Sequence, residues 1–352
     1  MDHATDNPVS NQLGPGITED QIRVAVEKSG YPLQTFVGNL LRSKLDSKKE
    51  KFCVQEEWSF VDSDTQELRS IDLLAELCLH DWDPQPRIRP HLNLLIECKQ
   101  SPLPYVFFQT SAVPWLPDFP TVAGLRRDKI VIASDDDPST WTYAVIHVLD
   151  LDRHPFQAAP GFCHTFSKCV RKGAEIELSG SEAYNGLVLP LVKALRHFVR
   201  VKSPVDTAWY FDCHLTVGIG VLDAPMVGVT SEPTGPALIA LPWVRVLRHE
   251  YEEKGEHSER EQLRILDVVH KDYLQTYLDE HLMPFAACFA ERVLRHTTEL
   301  ATGIAFVPRM GADGWYPVEN RMQPRSGASR LSRASAIGRN ILRILLGRRE
   351  AY

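Results

Sequence analysis

The stretch LNLLIECKQS, residues 92–101, is an almost wholly apolar run that carries a glutamate and a lysine two positions apart. Its length and apolar content predict a buried strand, in which side chains alternate between two faces. The apolar side chains at even positions share one face, and Glu97 and Lys99 share the other, about 7 Å apart along the strand. Because burying an unpaired charge costs several kcal/mol, the two charges indicate either a structural ion pair or a functional site.

The composition of the chain is that of an ordinary soluble protein. Of its 352 residues, 43% are hydrophobic and 24% are charged, which allows one large or two modest domains. It contains no uncharged apolar run of about 18 residues, the length that a membrane span requires. Residues 1–16 lack the basic and then apolar layout of a signal peptide, so we expect a cytoplasmic protein.

The cysteines and histidines give no strong sequence signal. Seven scattered cysteines, most of them inside apolar segments, predict reduced and buried thiols rather than a disulfide framework. The cluster FCHTFSKC at 162–169 lacks a matching second half at zinc-finger spacing, which disfavours a metal site there. The remaining histidines occur singly, and no HExxH pattern or Ser/His/Asp layout is visible.

The net charge of −7 hides an asymmetry between the two ends of the chain. Residues 321–352 contain eight arginines and one acid, a net charge of +7, so the first 320 residues carry −14. An acidic body argues against broad nonspecific affinity for nucleic acid. The basic tail is predicted to contact nucleic acid, a partner protein or an anionic membrane surface, or else to fold onto the acidic body.

Hydrophobic periodicity predicts an N-terminal pair of helices followed by three strands, a long insertion, a helix over 181–201 and a strand over 213–222. A further strand, a charged loop (EYEEKGEHSERE) and a long amphipathic helix over 271–298 follow. The predicted organisation is a disordered leader (1–16), a core (17–225) with an insertion (101–180), a strand and helix extension packed on the core (226–320) and the basic tail (321–352).

A second acid, Asp72, interrupts the apolar strand that precedes Glu97. Adjacent strands lie about 4.8 Å apart, so the two carboxylates can face each other and would repel without a proton or a cation between them. Mg²⁺ suits such a place, because it binds a few carboxylates together with water and phosphate oxygen. The alternatives are an in-strand ion pair of Glu97 with Lys99 and an Asp72 bonded to Arg69 or to a backbone amide.

The pattern D-(x)24-E-x-K, from Asp72 through Glu97 to Lys99, resembles the centre of the PD-(D/E)xK restriction-endonuclease-like nucleases. The resemblance covers residues 17–110 well and 180–225 loosely. It implies an α/β fold with an αβββαβ core and a mixed central sheet. It also implies Mg²⁺- or Mn²⁺-dependent hydrolysis of nucleic acid, with DNA as the expected substrate, in an enzyme that can act as a homodimer.

Carried over residue by residue, the resemblance implies that Asp72, Glu97 and the backbone carbonyl of Cys98 hold Mg²⁺. Lys99 would position the attacking water. Many members of that superfamily add a glutamate from the first helix, and here the comparable place holds Gln34, which leaves the metal site one charge short. Glu57 is the expected compensating acid, since Glu56 is predicted to share the apolar face of its strand.

Two further hypotheses concern binding. The helix over 181–201 aligns Lys193, Arg196 and Arg200 on its polar side, and this stripe is either a solvated helix face or a phosphate contact.

The alternative function is a nuclease-like fold that has lost catalysis and binds nucleic acid or protein. The amide at Gln34 favours that alternative, and metal dependence separates the two functions.

Overall fold

The computed structural model describes residues 6–43, 52–81, 85–116, 118–134, 139–233, 235–254, 258–309 and 317–323. Within these residues the chain is a mixed α/β protein with a 12-stranded mixed sheet, a separate three-stranded sheet and several helices. This confirms the predicted α/β class. None of the described helices is long and apolar enough to cross a membrane.

The strands are β1 (Cys53–Val61), β2 (Leu68–Cys78), β3 (Ile88–Gln100), β4 (Tyr105–Thr110), β5 (Thr121–Ala123), β6 (Lys129–Ser134), β7 (Thr140–Ala144), β8 (Phe162–Lys172), β9 (Glu175–Ser179), β10 (Phe211–Asp223), β11 (Met226–Glu232), β12 (Gly235–Ala240), β13 (Trp243–Lys254), β14 (Ser258–His270) and β15 (Ile304–Val307). The helices are α1 (Glu19–Lys28), α2 (Tyr31–Ser43), α3 (Val145–Val148), α4 (Pro155–Ala158), α5 (Gly180–Ala183), α6 (Leu189–Val201), α7 (Leu274–Thr276), α8 (Met283–Arg295) and α9 (Thr297–Thr302). The π-helical turns Tyr184–Val188 and Tyr277–Leu282 join α5 to α6 and α7 to α8.

One end of the large sheet is formed by β1, β2, β3 and β10, in that spatial order, with β1 at the edge. The first three strands are an antiparallel meander, as the alternating apolar pattern and the polar turn between β1 and β2 predict. Strand β10 lies parallel to β3 over their whole length, from Phe211 opposite Ile88 to Asp223 opposite Gln100. A parallel neighbour requires a crossover, and the chain segment that ends in α6 supplies it.

Helices cover both faces of these four strands. On one face, the buried residues Leu33, Val37 and Leu41 of α2 lie in one hydrophobic cluster with Leu73, Ala75 and Leu77 of β2. On the other face, Leu191 and Leu195 of α6 are buried in a second cluster. Strand β3 is buried on both sides, which explains why its sequence reads as a continuous apolar run and why its charges stand out.

The predicted insertion, residues 101–180, contributes strands to the large sheet in addition to connecting β3 with the helical segment that ends in α6. Strands β4 and β8 extend the sheet beyond β13, and β5 pairs with β10. Strands β6 and β7 form the small sheet with β15 from the C-terminal extension. Residues 101–180 and 226–320 are therefore interleaved with the core rather than appended to it.

Within the C-terminal extension, a buried ion pair joins β13, β14 and the helical segment that follows them. Arg245 on β13 and Asp267 on β14 have no exposed surface, and Arg245 Nε lies 2.7 Å from Asp267 Oδ1. Tyr277, in the following helical segment, donates its hydroxyl proton to Asp267 at 2.9 Å. Removing one partner of such a pair strands a buried charge, which is strongly destabilising.

Of two predictions for the C-terminal extension, the helix is confirmed and the charged loop is wrong. The helix over 271–298 is present as a nearly continuous run that ends at Arg295. The predicted charged loop at 250–261 is wrong, because β13 and β14 run through it as a hairpin whose described ends are Lys254 and Ser258. The buried residues Val244 and Val268 are paired and set the register. The pairing of β13 with β14 then continues as far as Lys254 opposite Ser258.

The predicted leader (1–16) and the predicted basic tail (321–352) lie partly outside the described residues. Residues 6–16 are exposed turns and irregular backbone, and residues 1–5 lie outside the described residues. Of the basic tail, only 321–323 are described, so the predictions for its partners and for its folding onto the acidic body lie outside the described residues.

Candidate functional site

The site begins where the β2–β3 ladder ends. Its register runs from Cys78 opposite His91 to Leu73 opposite Ile96, so the next position along brings Asp72 toward Glu97. There the Asp72 carboxylate lies against the neighbouring strand, and the backbone amide of Cys98 donates to Asp72 Oδ2 at 2.6 Å. Of the two structural partners expected for Asp72, the amide is present, whereas Arg69 is bonded to Asp62 at 2.7 Å.

Glu97 and Lys99 lie on the same face of β3, as the strand periodicity predicts. Lys99 Nζ is 2.6 Å from Glu97 Oε1. Glu97 is only 6% exposed, and its other carboxylate oxygen, Oε2, is buried without a hydrogen-bond partner among the described residues. A buried carboxylate oxygen without a donor is unfavourable, and the in-strand ion pair does not account for it.

Burial and mutual repulsion disfavour two charged carboxylates at this site unless a proton or a cation lies between them. Burial raises the pKa of Glu97 to about 7, and the neighbouring Asp72 charge adds to the effect. Burial also raises the pKa of Asp72, and the Glu57 carboxylate raises it further. For Lys99, burial acts to lower the pKa, but the Glu97 and Asp72 charges outweigh it and raise the pKa above its usual value.

Gln34 lies at the place that the resemblance assigns to a helix-one acid. It is 5% exposed on α2, and its side-chain amide donates to the backbone carbonyl of Asp72 at 3.3 Å. The predicted helix-one position therefore lies next to the backbone of Asp72, and it holds a neutral side chain. The bond fixes the strand that carries Asp72.

Glu57 is the nearest additional carboxylate of β1. It has a positive φ of 52°, and the β1–β2 register places it in line with Asp72, between the pairs Glu56 with Leu73 and Trp58 with Ile71. Its charge acts on Asp72, and its side chain is exposed. Three carboxylates from three adjacent strands thus line one row of the sheet.

The left-handed backbone at Glu57 also corrects the predicted face of β1. Before it, Glu56 points to the α2 side and is bonded to Arg42 at 2.6 Å. After it, Trp58 packs on the α6 side, with its ring 5.7 Å from His197. The prediction that Glu56 and Trp58 share a face is therefore wrong, because the positive φ at Glu57 interrupts the alternation, which no periodicity argument registers.

The helical segment before α6 closes the site on one side. A Cβ built on Gly186, in the π-helical turn, would lie 4.0 Å from Lys99 Cε, so the turn lies over the lysine stem. At Gly220, which β10 places opposite Glu97, a Cβ would come within 2.7 Å of Leu187. Sequence reasoning missed this turn, although the two glycines were the available signal of close packing.

The basic stripe of α6 has partners within the chain. Lys193 contacts Asp62 at 3.2 Å and also Asp64, and Arg196 Nη1 lies 3.0 Å from Asp64. Arg200 Nη2 is 3.1 Å from His197 Nδ1. The acids of the β1–β2 turn thus offset much of this positive charge, and the phosphate contact predicted for Lys193, Arg196 and Arg200 stays a prediction.

A cleft of about 320 Å³ opens beside the end of β3, on the α2 side. Its lining carries three acids and one lysine, so it offers no basic track for a polyanion. The lining residues are Glu27, Pro32, Leu33, Phe36, Gln100, Asp223, Lys271 and Asp272.

No protein-family model, curated protein or solved structure matches this chain. The carboxylates of Asp72 and Glu97 supply the hard oxygen donors that Mg²⁺ and Mn²⁺ prefer, and a cation would be a partner for the buried Glu97 Oε2, which has none among the described residues. The donor set therefore fits a hard divalent ion.

Proposed function

We propose that this chain is a Mg²⁺- or Mn²⁺-dependent nuclease with a restriction-endonuclease-like core. The observation that carries the proposal is the grouping of Asp72, Glu97 and Lys99 at the point where β2 and β3 end their pairing. Two carboxylates and an ammonium meet there inside an apolar sheet, and Glu97 Oε2 is buried without a hydrogen-bond partner in the described chain.

The order of the core elements supports the same proposal. Helix α2, the meander of β1 to β3, helix α6 and the parallel strand β10 follow the αβββαβ order of that superfamily, with helices on both faces. Most strands of the insertion and of the C-terminal extension widen the sheet on the far side of β10.

In this proposal Asp72, Glu97 and the Cys98 carbonyl hold the metal ion, and Glu57 adds charge in the place of the missing helix-one acid. When bound, the ion supplies positive charge that polarises a phosphodiester and lowers the pKa of water. The Cys98 amide orients the Asp72 carboxylate. Lys99, one-third exposed and held by Glu97, orients the attacking water and stabilises the charge that develops on phosphate.

DNA is the proposed substrate. The acidic body and the acidic cleft disfavour a long basic track, so contacts to the substrate are local to the site. A homodimer would place two such sites on the two strands of a duplex.

A cleavage assay with Mg²⁺ or Mn²⁺ on plasmid, single-stranded DNA and RNA tests the proposal. We expect wild type to cleave DNA, and Glu97→Gln and Lys99→Met to lose cleavage by at least about 100-fold. Glu56→Gln is the matched control, since Glu56 neighbours Glu57 but is bonded to Arg42 on the opposite face. Thermal melting of each variant checks the fold. Metal-dependent cleavage that survives in folded Glu97→Gln protein would contradict the assignment.

A second candidate function is a nuclease-like fold that binds nucleic acid or protein without catalysis. Gln34 favours it, because the helix-one position at the site holds a neutral amide bonded to backbone. Binding that is unchanged by Mg²⁺, Mn²⁺ or a chelator, together with no cleavage of any substrate, would favour this candidate. Gain of cleavage in Gln34→Glu would identify the amide as the cause.

A further inference from the structure

The opposite ends of β2 and β3 carry a second group of metal-binding side chains. Cys78 on β2 lies directly opposite His91 on β3, and His80 follows just beyond the end of β2. The cysteine is six residues from Asp72 and the histidine six residues from Glu97, which corresponds to about 20 Å along each strand. The two groups are therefore separate sites.

The three side chains are close enough to share one ion. Cys78 Sγ and a ring nitrogen of each histidine all lie within 4.8 Å of one another. Around a tetrahedral zinc ion, with bonds of about 2.0 to 2.3 Å, such atoms would be about 3.3 to 3.8 Å apart. Two ligand atoms 4.8 Å apart would have to approach each other by about 1 to 1.5 Å to bind one ion of that size.

His91 points to a ligand independently of the grouping. The residue is only 8% exposed, and both of its ring nitrogens are buried without a hydrogen-bond partner among the described residues. Glu76 Oε1 lies 3.5 Å from Nδ1, and Asp212 Oδ1 lies 3.5 Å from Nε2. Whichever nitrogen binds an ion, the other faces a carboxylate, the usual outer partner of a metal-bound histidine.

One ring nitrogen of His80 contacts the backbone. Nδ1 lies 2.7 Å from the carbonyl oxygen of Asp81, and Nδ1 donates, because a carbonyl oxygen only accepts. A backbone carbonyl that fixes a histidine ring in this way is a common arrangement at zinc sites.

We infer that Cys78, His80 and His91 bind a soft divalent transition metal, Zn²⁺, which links the end of β2 to β3. A thiolate and two imidazoles select Zn²⁺ over Mg²⁺, whose preferred donors are oxygens. Glu76 and Asp212 stand beside the site as candidates for the fourth position. Lys202, at the end of α6, is 3.3 Å from Glu76, so the ion also couples this helix to the hairpin.

Metal titration of the full-length protein, first freed of metal by a chelator, tests this inference. Co²⁺ reports the ligands, because a thiolate bound to Co²⁺ gives a charge-transfer absorption band, and Zn²⁺ is then measured by displacing it. We expect one Co²⁺ with a thiolate band in wild type, and a loss of Zn²⁺ affinity of more than about 100-fold in Cys78→Ser and His91→Asn.

Two controls keep the result specific. Cys288→Ser changes another partly exposed cysteine outside the group, and Glu97→Gln changes the acidic site; both should keep the band and the affinity. His80→Asn, beyond the end of β2, replaces Cys78→Ser if that variant fails to fold. A wild type without a thiolate band, or Zn²⁺ affinity that is unchanged in folded His91→Asn or His80→Asn protein, would overturn the inference.

Discussion

The two ends of β2 and β3 are built from the same two strands and carry opposite chemistry. At one end, Asp72 and Glu97 present carboxylates with Lys99 beside them; at the other, Cys78 and His91 present a thiol and an imidazole as direct cross-strand partners. Both ends contain a buried polar atom without a hydrogen-bond partner in the described residues, Glu97 Oε2 and the ring nitrogens of His91. Each therefore points to a ligand, a hard ion at one end and a soft ion at the other.

The difference also shows why one end was visible in the sequence. A charge inside the apolar run of β3 is conspicuous, because a strand buried on both faces has no ordinary place for it. Cysteine and histidine are tolerated in apolar segments and occurred singly along the chain. Only the register of β2 against β3 brings Cys78 to His91.

The largest expected effect is on catalysis at the acidic end. Asp72→Asn keeps an oxygen that can accept from the Cys98 amide but removes the charge, so we expect the fold to persist and cleavage to fall at least about 100-fold. Plasmid cleavage and thermal melting measure the two quantities. His91→Asn is the comparison and should cleave normally; equal losses in both variants would mean that the ends are not independent.

The stability of the metal-free protein should depend on pH with opposite signs at the two ends. Glu97 has a pKa of about 7 in the fold and about 4.5 when unfolded, so the folded state holds a proton that the unfolded chain releases, and stability falls as pH rises from about 4.5 to about 7. Burial lowers the pKa of His214, beside His91, from 6.5 to about 3, so stability falls as pH drops from about 6.5 to about 3. The two effects oppose each other between about pH 4.5 and 6.5, and each corresponds to a few kcal/mol.

Denaturant unfolding of variants and wild type between about pH 3 and pH 8 separates the two effects. Relative to wild type, Glu97→Gln should gain stability as pH rises from about 4.5 to about 7, and His214→Asn should gain stability as pH falls from about 6.5 to about 3. A pH dependence in Glu97→Gln that equals that of wild type between about pH 4.5 and 7 would show that the Glu97 carboxylate does not carry the buried charge.

The metals should stabilise the two ends separately. An ion present at 100 times its dissociation constant stabilises the fold by about 2.7 kcal/mol. We expect the Zn²⁺ effect to disappear in His91→Asn and persist in Asp72→Asn, and the Mn²⁺ effect to show the reverse. Melting curves with each ion test this, and loss of both effects in one variant would contradict two separate sites.

Much of the core followed from sequence periodicity. The two N-terminal helices, the meander and the helix and strand that follow the insertion lie within a few residues of their predicted positions, because their apolar faces are regular. The grouping of Asp72, Glu97 and Lys99 followed from pairing distance alone. Other features could not be predicted, because they depend on long-range strand pairing or on the backbone conformation of one residue. They are the parallel register of β10, the pairing of β13 with β14 and the positive φ at Glu57.

The smallest expected effect concerns the basic stripe of α6. Arg196→Gln breaks a contact with the half-exposed Asp64, and such pairs contribute less than about 1 kcal/mol. We expect a correspondingly small loss of stability and cleavage within about twofold of wild type at moderate salt. A large fall in DNA affinity with a reduced salt dependence would instead identify the stripe as a phosphate contact.

The most direct test of the acidic end is Mn²⁺ titration calorimetry on wild type and on the Asp72→Asn/Glu97→Gln double variant, with plasmid cleavage measured on the same samples. Wild type should bind Mn²⁺ and cleave DNA, and the folded double variant should lose both, while His91→Asn keeps both. Mn²⁺-dependent cleavage that persists in the folded double variant, or a wild type that neither binds Mn²⁺ nor cleaves, would contradict a metal-dependent nuclease centred on Asp72 and Glu97.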